Sequence, residues 1–481
     1  MRFITGVPCL LPLALVGILI GFVPVQAAWR VRVPGSSTAG PLAVDSGGDV
    51  FAAVGFPQPH HGIGVAIVNL AAEDGVQRWR RRLRGAGLER SDFVYALQAT
   101  ATGDVVAGGS IENEGYATFF LTRLSGRDGR PQWRRIIHGL QRRSEESVSA
   151  LALDAVGDII AAGGLEGGTT NPYRATEDFA VVKLAHDTGV ERWRFTFDGS
   201  ADDFDYATGI AVDAAGDVIA AGVSNVTDST NSLGYRRVVT VIKLTSADGH
   251  LLWHQDIDAA VNTYSVAVDG NGDALIAVDT AEPNGNDFGV FKLAGTNGHI
   301  LWSARESGSD GHWQEAFQVT ALPSGDVAAV GFTTDARDAP SLTTVVLDNA
   351  TGAERWRRLL QGNDGYGVGR ALAVSPQGDV LVGGQLRNRG TCYDIAVAKL
   401  AASTGDVLTL HRMDGRSTAS QCDRPECDAP RSCGPPRAGI DRDDLTALAI
   451  DHRGRAVVAG ALSDGPRGQQ HGVVATFPAK P

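Results

Sequence analysis

Lysine is nearly missing from this 481-residue chain: of 43 basic residues, only Lys183, Lys243, Lys292, Lys399 and Lys480 are lysine. The shortage reads as codon bias rather than physical design. Against 55 acidic residues and a formal charge of -12, the basic set supplies no face for nucleic acid. Chemistry-bearing motifs are missing as well. The glycines recur at a long period instead of forming a phosphate-binding loop, and there is no Gly-x-Ser-x-Gly elbow. Past Val25 no second apolar run is long enough to span a membrane. Cysteine is limited to five residues, none adjacent to another.

Glycine is what the chain has in excess, 60 residues or about 12%, against a usual ~7%. With 43% hydrophobic residues and no collagen-like period, that excess points to many short strands and tight turns. The N-terminus has its own pattern. Arg2, the apolar run Leu10 to Val23 and Val25-Gln26-Ala27 fit a cleaved secretory signal over residues 1–27. A retained anchor is the rival reading, against which Pro8 and Pro24 interrupt the stretch. Cleavage removes Cys9 and leaves Cys392, Cys422, Cys427 and Cys433, an even set that in an exported chain favours two disulfides of open connectivity. The zinc alternative lacks paired short spacings.

Self-comparison gives the architecture, because a fixed period constrains the fold before any motif does. One phrase occurs eight times, as in Leu151 to Gly164 (LALDAVGDIIAAGG), Ile210 to Gly222 (IAVDAAGDVIAAG) and Leu372 to Gly384 (LAVSPQGDVLVGG). Its turn glycines, Gly48, Gly103, Gly157, Gly216, Gly272, Gly325, Gly378 and Gly454, are 53 to 59 residues apart until a final step of 76. A second phrase follows each: an apolar strand, a turn rich in Thr, Asp and Gly, then a tryptophan strand, as in Val239 to Trp253 (VTVIKLTSADGHLLW). Each unit is thus two hairpins. Their strands are continuous apolar runs, so both faces of each small sheet are covered. Four-stranded units of this kind, repeated around an axis, make a β-propeller.

The expected fold is all-β: a closed eight-bladed propeller of four-stranded antiparallel blades, forming a single domain over residues 28–481. The eighth unit ends without a tryptophan strand, while Ala28-Trp29-Arg30-Val31-Arg32-Val33 is a tryptophan strand without a hairpin. Pairing the two completes the last blade and removes an open edge. Trp29, Trp79, Trp133, Trp193, Trp253, Trp302 and Trp356 are expected as packing residues at the wider rim, with Leu408 or Leu410 in the unit that lacks one. Arginines after them, as in Trp79-Arg80-Arg81, protect the outer edge. The stretch 416–440, rich in Cys and Pro, is an insertion held by its disulfides.

These residues carry a resemblance. Asp198 to Asp203, Ala207 to Asp213 and Gly216-Asp217-Val218 resemble the bacterial β-propeller repeat of exported proteins, and Asp187-Thr188-Gly189 with Trp193 is similar to the tryptophan-docking repeat of quinoprotein propellers. The likeness covers nearly all of residues 28–481 and is silent about activity. It implies either a structural propeller or an enzyme using pyrroloquinoline quinone (PQQ) with calcium. The PQQ enzymes resemble one another in a vicinal disulfide, a tryptophan over the cofactor and carboxylate ligands. Here no cysteines are adjacent, and Trp313 alone is not consumed by the repeat. No cofactor is therefore expected.

Binding is expected on the face carrying the long connections between blades and between second and third strands. His60, His61, Tyr116, Tyr173, Arg174, Tyr235, His312, Trp313, Tyr366 and Tyr393 fall on those connections. Exposed aromatics can anchor a protein or glycan partner; each can equally pack on its own loop. His60 and His61 point apart in an extended segment, which argues against a metal pair. Asp269-Gly270-Asn271-Gly272-Asp273 resembles a calcium loop, but an EF-hand needs an acid at its twelfth position. Thr280 stands there, with Asp279 just before it. An aspartate capping its own turn is the simpler reading. Asp202, Asp203 and Asp205 are a better place for a cation. The resulting expectation is a secreted or periplasmic, monomeric binding or scaffold module of the bacterial envelope. The alternatives are an envelope assembly factor, and a PQQ-type or carbohydrate-directed enzyme with its site at the axial mouth.

Overall fold

The computed structural model describes residues 28–478 except 59–61, 86–90, 114, 141–145, 169–175, 202, 283–284, 307–312, 338, 416–442 and 465–468. The signal segment, the 416–440 insertion, Cys422, Cys427 and Cys433 lie outside the described residues. The described chain forms eight four-stranded antiparallel sheets. Blades one to seven span 38–83, 93–137, 147–197, 206–257, 260–306, 315–360 and 366–413, and blade eight combines 444–477 with the strand Trp29–Arg32. That strand pairs antiparallel with Gln469–Phe477, from Trp29 opposite Thr476 to Arg32 opposite Val473. The first strand of every blade packs on the first strand of the next, all the way round. The eight first strands are therefore the innermost ring, and closure is as the split repeat requires.

The continuous apolar runs are explained by burial on both faces. In blade four, Val218, Ala220, Ile242 and Leu244 join the core shared with blade three. Ile219, Ala221, Val239 and Val241 instead pack on Ala274, Ile276 and Val278 of blade five. The pleat sends alternate residues to opposite faces, so each strand feeds two cores and needs an apolar residue at every step.

One face of the ring carries the tight turns. Asp213 accepts N–H bonds from Ala215 and Asp217 through Oδ1, at 2.9 and 3.0 Å, capping its own turn. Gly216 takes φ 87° there. The other oxygen, Oδ2, lies 2.7 Å from Lys243 Nζ. Lys243 then donates at 3.0 Å to the Gly295 carbonyl of blade five, which also receives Trp253 Nε1 at 3.0 Å. The device recurs: Lys183 with Asp154 and the Ser246 carbonyl, Lys292 with Asp269 and the Asn349 carbonyl. Lys399 pairs with Asp379 at 2.9 Å. Four of the five lysines therefore occupy one register, three of them facing the docking tryptophan. The lysines thus follow the repeat, and in blade two Arg123, opposite Trp133, fills the same place with Asp104 and the His186 carbonyl. A buried ammonium also sits where the turn's resemblance to a calcium loop would place an ion.

The tryptophans seal the blade junctions more deeply than a rim position suggests. Trp29, Trp133, Trp193, Trp253, Trp302 and Trp356 are buried and Trp79 half-buried. Each covers a glycine of the next blade; a Cβ on Gly298, itself at φ 75°, would lie 2.6 Å from the Trp253 ring. In blade seven, the register sets Thr409 opposite Lys399. Neither Leu408 nor Leu410 takes the place. The neighbour there is blade eight, whose outer strand is Trp29–Arg32 and is not joined to Gln469–Phe477 by a turn, so no turn glycine is offered. His411 instead stacks on Phe477, with centroids 5.1 Å apart.

Candidate binding site at the axial mouth

Every blade has a register shift in its first strand. The residues left unpaired are Gly40 and Pro41, then Tyr95, Ser149, Thr208, Tyr264 with Val261 before it, Phe317, Arg370 and Thr446. Bulges re-aim side chains, and these stand on the innermost strands near the end where the chain enters from the preceding blade. They ring the channel mouth on the loop side. Unlike the turn residues they differ from blade to blade, between hydroxyl, aromatic and guanidinium side chains. Tyr95 and Tyr264 are 48% and 40% exposed although they lie nearest the axis.

Blades five to seven concentrate this chemistry. Asp279, fully buried in the second strand of blade five, pairs in register with Asn262 of the first. Its Oδ2 accepts from Asn262 Nδ2 at 3.3 Å and from the Tyr264 hydroxyl at 3.1 Å. Oδ1 has no hydrogen-bond partner. Burial, and then the neighbouring Glu315 carboxylate, push the Asp279 carboxyl up to about 7. Glu315, the first residue of blade six, is also raised by burial, with Arg370 opposing. Burial and Asp279 push the Tyr264 phenol up. The Arg370 guanidinium lies 4.5 Å from the Phe317 centroid, and Phe317 is 5.3 Å from Tyr264 and 6.1 Å from Phe332. The arrangement is an aromatic wall with two carboxyls, a phenol, an amide and one guanidinium. It can hold a cation or donate and accept protons.

The residues singled out from sequence are spread around the ring. Tyr116 is exposed in blade two and Tyr235 half-buried in blade four. Trp313 is 45% exposed, two residues before Glu315. Tyr366 and Tyr393 meet edge-on at 5.1 Å, with Arg387 5.9 Å from the Tyr393 centroid. His60, His61, Tyr173, Arg174, His312 and Asp202 lie outside the described residues. Asp203 is buried and accepts its neighbour Phe204 N–H at 2.9 Å. Asp205 accepts from Gly199 and Asn225 N–H, each at 2.7 Å, and burial pushes it up to about 7. Asp443 pins Gly415 and Ser463 in the same way, so this acid recurs as a clasp between blade connections. Among the described residues no group of three or more His, Cys, Asp or Glu is placed to hold a metal.

Tyr264, Glu315, Phe317 and Arg370 were not among the sequence candidates, and Asp279 entered there only as the neighbour of Thr280. A signal existed. Two positions before the eight repeated phrases, the blades carry Gly, Tyr, Ser, Thr, Tyr, Phe, Arg and Thr, where the phrases that follow repeat.

A family model described as the outer membrane protein assembly factor BamB matches residues 177–417, half of the chain. No curated protein matches. Among solved structures, Sqt1 from Chaetomium thermophilum, bound to the N-terminus of a ribosomal protein, superposes with a TM-score of 0.56 at 13% identity, covering 94% of this chain and 99% of that one. Quinohemoprotein alcohol dehydrogenase from Comamonas testosteroni gives 0.52 at 12%, covering 95% and 77%. BamB from Moraxella catarrhalis gives 0.47 at 13%, covering 95% and 99%. Likeness at these identities concerns the fold. The residues do not fit the quinone and calcium that the resemblance implies: no cysteines adjoin, the seven repeat tryptophans are at outer junctions, and Trp313 is an exposed residue of a connection.

Proposed function

The chain belongs to the family described as the outer membrane protein assembly factor BamB, and from that premise we propose that it is a binding module of the bacterial cell envelope, holding a protein partner at the loop-side mouth of its channel. The observation that carries this reading is the contrast between an inner ring of unlike bulge residues and a turn face of like ones. Blade packing explains the like residues, whereas the fold requires no Tyr264, Glu315 or Arg370. The export signal and disulfides belong to the same reading, and the buried Cys392 is disulfide-bonded. A photoreactive phenylalanine at Tyr264 should form one discrete protein adduct in envelope preparations, and the same group at the exposed turn residue Val156 should not. Equal labelling from both faces would defeat the proposal. One observation favours a second reading, catalysis on a glycan: two neighbouring carboxyls of raised proton affinity can divide general-acid and general-base roles. Hydrolysis of a glycoside by the mature protein, lost in Glu315→Gln, would establish it.

A further inference from the structure

We propose that the wall formed by Asp279, Glu315, Tyr264 and Phe317 is a binding site for an organic cation, an alkyl guanidinium or ammonium head. The charge count is the first observation. Two carboxyls act on each other between blades five and six; Arg370 opposes Glu315, and the other cation facing the site, Arg237, reaches the Asn262 amide oxygen. The forces acting most strongly on Asp279 are burial and that carboxylate, with no cation among them. The second observation is independent of the acids' proximity. Asp279 Oδ1 is buried without a hydrogen-bond partner, and a buried acceptor left unmatched is costly. The carboxyl is otherwise held by Asn262 and Tyr264 through Oδ2 and, most weakly, by the Ala316 N–H, so Oδ1 keeps lone pairs open to a further donor.

The aromatic side fixes the class of donor. A cation over a ring face is held by the ring quadrupole, and Arg370 over Phe317 at 4.5 Å shows this wall already accepting a guanidinium. Tyr264, 5.3 Å from Phe317 and 40% exposed, offers the adjoining ring. A neutral sugar would leave the carboxyl charge unanswered. A bare metal ion would lack a third acidic or imidazole ligand among the described residues. The site stands whether or not a protein docks on the loop face, although a partner's arginine side chain is one source of such a head and a free polyamine the other.

The charged and titratable groups facing the site are Asp279, Glu315, Tyr264, Arg370, Tyr206, which acts on Tyr264, and Arg237, which reaches Asn262 Oδ1 at 3.5 Å. Calorimetric titration of the mature protein with agmatine at pH 8, above the value of about 7 to which Asp279 is raised, should show one saturable site. Asp279→Asn and Glu315→Gln should each weaken it at least about tenfold, and so should lowering the pH to 5.5. Asp258→Asn, at an exposed carboxylate, should leave it unchanged. The capped peptide acetyl-Gly-Arg-Gly-amide separates the sources: binding within about threefold of agmatine assigns the site to a partner's side chain, and rejection of the peptide assigns it to a free amine. Absence of saturable agmatine binding, or equal affinity in wild type and both site variants, would overturn the proposal. Because Asn and Gln are near-isosteric here, circular dichroism of each variant separates lost binding from lost fold.

Discussion

The two faces of the propeller solve opposite problems with the same strands. On the turn face, the buried charges are matched in pairs: Lys292 Nζ is 2.8 Å from Asp269 and 3.1 Å from Asp273, and its carbonyl acceptor also receives Trp302. At the loop-side mouth, Asp279 is buried with one oxygen unmatched, beside another carboxyl. Repetition marks the first set as serving the fold. The departure from repetition, together with an unrelieved electrostatic cost, marks the second as serving something outside it. Stored strain of this kind is characteristic of binding sites, where ligand completes what the fold leaves open.

The sharpest way to break this comparison is at a turn. Lys292→Met leaves the buried Asp269 and the half-buried Asp273 without their ammonium, and should destabilise the protein by about 3–5 kcal/mol. Gly298→Ala forces a methyl into the Trp253 ring and should lower the melting temperature in the same direction. Neither should alter agmatine affinity at temperatures where the variant is folded. The mouth should respond with the opposite sign. Asp279→Asn removes a buried charge and should stabilise by about 1–3 kcal/mol at pH 8, the scale of an unsatisfied buried group, while agmatine binding is lost.

A pH series extends the comparison. Asp205 and Asp279 are raised to about 7 and Asp394 to about 6, each chiefly by burial. A carboxyl whose pKa is higher folded than unfolded holds its proton more tightly in the fold. Its contribution is full below about pH 4 and disappears as pH rises through 6 to 7. Thermal melts should therefore show stability falling across that interval, less steeply in Asp279→Asn. The smallest effect belongs to the closing junction. His411 is buried, neither ring nitrogen has a partner, and burial lowers its pKa. It favours the fold above about pH 6.5 and loses that contribution as pH falls through its depressed value. His411→Leu should raise the melting temperature at pH 5 more than at pH 8, by an amount worth about 1 kcal/mol.

Most of the ring was legible because propeller packing imposes a repeating demand on sequence. Gly216 must turn with positive φ, Trp253 must cover Gly298, and Val218 and Ile219 must both be apolar because both faces are buried. The closure was legible in Trp29, a fourth strand without its hairpin. The place of the lysines was not legible, for a physical reason. Their role depends on a cross-strand register that sets Lys243 beside Trp253 and over Asp213, and composition carries no register. The mouth was missed for a related reason. Tyr264, Asp279 and Glu315 come from two blades and three strands, and only the bulge and the ring bring them together. Attention to long connections favoured Tyr116 and Tyr235, which chain length makes conspicuous. The inner-strand positions were conspicuous only as the places where the repeat stops repeating.

The central claim is that the mouth is built for a ligand at the expense of the fold. It is tested most directly by the melting temperature of Asp279→Asn beside wild type at pH 8 without ligand. The account predicts a higher value for the variant, because an unmatched buried carboxylate has been neutralised. A lower value would mean that the Asp279 charge supports the ring as the turn-face aspartates do, and would contradict it.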